Sequence, residues 1–118
     1  MTDYTRPPGK TTIAPEVLTT IARMAALSVP GVSEMAPLAG GVDRLFKRGG
    51  DNSVQITIHE NMVMAHIFII VKEEVNIREV GRGVQQQVTR AIQEMTGMDV
   101  GQVDVHIEDI HYEGSEES

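Results

Sequence analysis

The sequence predicts a two-layer α+β domain in which two amphipathic helices cover one face of a small mixed β-sheet. Three observations carry this. Val54, Ile56 and Ile58 alternate with polar residues, which is the period of a half-buried strand. Met62 to Val71 is apolar on both faces, as a central strand should be. Residues 77–95 carry apolar side chains at helical spacing behind a capping signal. The expected order is strand, helix, strand, hairpin, helix, strand.

The elements follow in chain order. Lys10 to Ile13 reads as a short leading strand. Pro15 sits where a first helical turn tolerates a missing N–H, and Val17, Leu18, Ile21, Met24, Ala25 and Ser28 follow as a stripe. Pro30-Gly31 stops that helix, and Val32 to Met35 forms the next short strand. Residues 36–50, with paired glycines at 40–41 and 49–50, read as a loop.

A two-residue loop at Glu60-Asn61 sets the hairpin register: residue 58 opposite 63, 56 opposite 65 and 54 opposite 67. All six apolar side chains then share one face. The other face collects Met62, Met64, His66, Phe68 and Ile70 beside Gln55, Thr57 and His59. Asn76 caps the second helix, with Glu79 placed to reach back and Val75 to staple against Val80. Ile77, Val80, Val84, Val88, Ala91, Ile92 and Met95 form its stripe, and Gly97 ends it. In the last strand Val103, Val105 and Ile107 face the core, while Asp104, His106 and Glu108 face out.

Residues 1–9 and 113–118 hold too little apolar surface to repay ordering and read as mobile tails around a single domain over 10–112. The 118 residues carry 10 basic and 17 acidic side chains, a net charge of −7, and no cysteine. This excludes disulfide scaffolds, thiolate metal sites and thiol nucleophiles, and disfavours indiscriminate polyanion binding. The longest apolar run, residues 62–71, is too short for a transmembrane helix, which needs about 20 residues. A cytoplasmic protein is expected. The charge is uneven: residues 1–50 hold six basic and four acidic groups, and 51–118 hold four and thirteen.

Asn76-Ile77-Arg78-Glu79-Val80, Val84-Gln85, Val88, Met95-Thr96-Gly97-Met98 and Val103-Asp104-Val105 resemble the alkaline shock protein family, which includes general stress proteins. In the first half Ile13, Val17, Ile21, Ala22 and the turn Pro30-Gly31-Val32 agree, so the resemblance spans residues 9–110. One departure is Glu73-Glu74-Val75, where the family pattern has a Tyr-Gly-like pair. The resemblance implies a cytoplasmic, non-enzymatic protein of cell envelope stress response and homeostasis. It also implies self-association and tethering near the membrane by a small membrane-anchored protein partner.

The residues themselves supply no catalytic set. There is no Gly-x-Ser-x-Gly, Walker or His-Glu-x-x-His motif, and the paired carboxylates are sequence neighbours with no shaped site around them. Neither a cofactor nor a small-molecule substrate is expected. His59, His66, His106 and Glu108 project to one sheet face in the expected register, yet they lack the short spacing of known metal sites, and no metal ligand is assigned. Arg44, Lys47 and Arg48 around Phe46 form a basic loop suited to phosphates of lipid or nucleic acid. The alternative of a KH-like nucleic-acid-binding module ranks second, because no Gly-x-x-Gly clamp occurs. Gly81 and Gly83 are read as packing glycines. The apolar stripe Met62, Met64, His66, Phe68, Ile70 is the candidate interaction face.

Overall fold

A computed structural model describes residues 9–37 and 53–113. Helix α1 spans Pro15–Leu27, strand β1 Val32–Met35, β2 Val54–His59, β3 Met62–Lys72, helix α2 Ile77–Thr96 and β4 Asp99–His111. Most of the two tails, residues 1–8 and 114–118, and the basic loop with Arg44, Lys47 and Arg48 lie outside the described residues.

β3 is the spine of the sheet. Its odd-numbered residues Val63, Ala65, Ile67, Ile69 and Val71 are all buried against the helices. β2 pairs antiparallel along its first half and β1 along its second half, on the same side. The hairpin register is the expected one, with Ile58 opposite Val63, Ile56 opposite Ala65 and Val54 opposite Ile67. Glu60 and Asn61 both stand at positive φ, 53° and 65°, the signature of a two-residue type I′ connection.

β1 and β2 are one strand interrupted. The amide of Ala36 donates to the carbonyl of Phe68, and the amide of Phe68 donates to the carbonyl of Ser53. In an unbroken antiparallel ladder a single residue would exchange both bonds with Phe68. Here the chain leaves the sheet after its donor and returns at its acceptor.

β4 lies on the other side of β3 and runs parallel to it, so the sheet is mixed. Strand β3, helix α2 and strand β4 make a crossover unit, which returns the chain in the same direction. Asn76 Oδ1 accepts from the Glu79 amide at 3.1 Å, and Gly97 closes α2 at φ 77°. Val80, Val84, Val88 and Ile92 are buried from it, while Ile77 and Met95 at its ends are exposed.

Two expectations need correction. Residues 10–13 form no strand: they run directly into α1, and β1 takes the place along β3 that a leading strand would seek. The stripe of α1 is also rotated. Leu18, Ile21, Ala22 and Ala26 face the core, whereas Val17 and Met24 are exposed. Alanines on the buried side bring the helix backbone close to the sheet, and the longer Met24 side chain has no room there.

Candidate functional site

Helices α1 and α2 cover the face bearing the odd residues of β3. The even residues Met62, Met64, His66, Phe68 and Ile70 therefore point away from the core, as the alternation predicts, and remain partly or wholly exposed. They run the length of the spine strand. β2 borders them with His59 opposite Met62, Thr57 opposite Met64 and Gln55 opposite His66.

β4 supplies the other border, and two bulges set which of its residues arrive there. Gln102 is the partner of Met64, Asp104 of His66, His106 of Phe68 and Asp109 of Ile70, with irregularities after Val100 and after Ile107. Gly101 and Glu108 are the extra residues at those two points. Glu108 is thereby taken out of the row in which simple alternation places it. The sequence shows the bulges in hindsight: the core residues of β4 step by three from Val100 to Val103 and from Ile107 to Ile110, and by two between.

At the centre of the face five side chains interlock. Phe68 stacks on His106 with ring centroids 4.4 Å apart and an interplanar angle of 12°. His66 lies beside the same ring, its Nδ1 3.0 Å from His106 Nε2, so one imidazole donates and the other accepts. Asp104 Oδ2 stands 3.8 Å from His66 Nδ1 and accepts from Gln102 Nε2 at 2.8 Å. The three rings lie stacked, and the polar atoms of the histidines and of Gln102 and Asp104 bond one another within the cluster. Such a face is sticky without being fully hydrophobic.

The structure brings His66 and His106 together but not His59 or Glu108. His59 sits at the hairpin end, its Nε2 3.9 Å from Glu60 Oε2, with both side chains largely in solvent. Among the described residues no group of three His, Asp or Glu side chains is arranged to hold a metal ion. Asp104 and Gln102 are the members of the cluster that sequence reasoning did not assign to the site. Their signal was the outward alternation of β4, but pairing them with His66 needs the β3–β4 register.

A second concave feature lies on the opposite layer. Exposed Met24 and Met95 border a shallow groove of about 400 Å³ between the two helices, floored by Ile21, Ala25 and Ala91.

The sequence profile of the alkaline shock protein 23 family, a family with a cell envelope-related function, matches residues 4–112. The chain belongs to this family. Uncharacterized protein YqhY of Bacillus subtilis (strain 168) is 30% identical over 107 residues, covering 89% of this chain and 79% of that protein. Among solved structures, MamM CTD in a copper form superposes with a TM-score of 0.57 at 18% identity, over 80% of this chain and 84% of that one. A variant of MamM CTD, also in a copper form, gives 0.52 at 17% identity, over 81% and 98%. At these identities the likeness concerns the fold. Within the alkaline shock family chain described here, no helix among the described residues is long and apolar enough to cross a membrane.

Proposed function

We propose that this member of the alkaline shock protein family is a non-catalytic interaction module of the cell envelope stress response, acting through self-association on its open sheet face. The observation that carries the reading is the stripe Met62, Met64, His66, Phe68 and Ile70, which no other described element covers, on a sheet whose opposite face is packed against two helices. An apolar row of this length gains from being covered, at about 25 cal/mol per Å² removed from water. Pairing two such faces also shields the stacked His66, His106 and Phe68 rings. A face of this kind serves assembly rather than turnover: it is flat and open, and its polar groups are spent on one another instead of converging on a substrate-sized cavity.

Family membership supports a role at the envelope, and attachment to the cytoplasmic membrane face through a small membrane-anchored protein is the finer form of the same proposal. The decisive variant is Phe68→Glu, which puts a charge at the centre of the stripe without touching the buried face. We expect it to stay folded by circular dichroism and to show a lower molar mass than the parent in light scattering. A parent that is monomeric at high concentration, or a variant of unchanged mass, ends the self-association reading.

A further inference from the structure

The outer edge of β4 has no strand partner among the described residues. β4 pairs with β3 on one side only, so every second residue turns its amide and carbonyl outward. Gln85 reaches down from α2 and donates from Nε2 to the carbonyl of Val103 at 3.1 Å, which marks Val103 as one of the outward residues. No bulge falls between Gln102 and Ile107, so strict alternation puts the backbone groups of Val105 and Ile107 on the same open edge.

Those two residues floor a groove of about 490 Å³ beneath α2. Ile77 on its helix side is 42% exposed, and a Cβ built on Gly81 meets nothing within 4 Å. The space beside the edge is therefore open at backbone level. Arg78 and Arg82 flank it one helical turn apart, and neither guanidinium has a hydrogen bond or ion pair among the described residues. Two cations at one groove, without a partner among the described residues, stand out in a chain of net charge −7.

We infer that the β4 edge and the Arg78/Arg82 groove together take an extended segment of a protein partner, added as a strand, with carboxylates at alternate positions on its helix-facing side. The spacings agree. Residues four apart on a helix are separated by about 6 Å along its axis, and residues two apart on a strand by about 6.8 Å. Two acidic side chains of one strand thus reach Arg78 and Arg82 while the backbone between them bonds Val105 and Ile107. A second copy is the poorer occupant of this edge. A two-fold pairing of β4 with itself lays α2 beside α2 and sets these arginines against the same arginines.

The test uses a blocked hexapeptide of three Glu-Val repeats, titrated into the full chain and followed through backbone amide resonances. The expected result is shifted and exchange-protected amides at Val105 and Ile107, with affinity weakened about fivefold or more in Arg78→Ala/Arg82→Ala, whose substituted side chains are exposed. A Lys-Val peptide of the same length should leave the spectrum unchanged. Absence of the shifts, equal binding by the Lys-Val peptide, or equal binding by the arginine variant overturns the assignment. Protection of the same amides by concentration alone overturns it in favour of a second copy. Phe68→Glu, on the open face, should leave peptide affinity unchanged, which separates failure here from failure of self-association.

Discussion

Glu60, Asn61 and Glu74 stand at positive φ without being glycine. For an L-residue this conformation costs about 1–2 kcal/mol, except where a short polar side chain such as Asn bonds locally. Glu74, at φ 62°, lies in the turn between β3 and α2. Glycine is the residue that a backbone in this conformation prefers, because it has no Cβ to clash. Glu74→Gly should raise stability by about 1 kcal/mol in urea unfolding, with no change in the slope of the transition. Gly31 is the reverse case. At φ 101° its absent Cβ would lie 2.6 Å from Val80 Cγ2, at the point where Val75 and Val80 close over the chain. Gly31→Ala should cost about 2–3 kcal/mol from strain and clash together, measured the same way.

Within α2 two glycines two residues apart have different reasons to exist. A Cβ at Gly83 would sit 3.0 Å from Val29 Cγ1, so this glycine does admit close packing of the turn after α1. Gly81 has open space above it and carries only the entropic cost of glycine in a helix. Gly81→Ala should therefore stabilise by about 1 kcal/mol and Gly83→Ala should show no such gain, a contrast that thermal unfolding of the pair will reveal. Sequence reading assigned both to packing, because spacing along one helix does not say which residue faces a neighbour. The same limit explains α1, where Met24 and Ala22 both fit an apolar stripe and only the distance to the sheet selects alanine. The strong local signals held: the Asn76 cap, the Gly97 stop and the Glu60-Asn61 hairpin depend on atoms within a few residues.

Across the whole molecule, Ala36 and Ser53 share the bonding role of one residue opposite Phe68. Removing residues 37–53 and joining Ala36 to Val54 should let β1 continue into β2, since Met35 lies opposite Ile69 and Val54 opposite Ile67. The shortened chain is expected to unfold in one cooperative thermal transition at a midpoint no lower than the parent, because a loop closure is removed and no ladder bond is lost. A broad or absent transition contradicts this. The same deletion removes Arg44, Lys47 and Arg48, so any retention of the parent on anionic vesicles at low salt should vanish with it.

Residue order alone determined the helices, the hairpin and its register, and the stripe from Met62 to Ile70 that faces away from the core. These follow from periodicity, caps and a two-residue turn, all of which act over short chain distances. The meeting of His66 with His106 and Asp104, the bulges that displace Glu108, and the open edge at Val105 and Ile107 were decided by the tertiary structure. They depend on how far β4 slides along β3 after the crossover through α2. No local turn constrains that register; it is set where the buried side chains of helix and sheet pack without gaps.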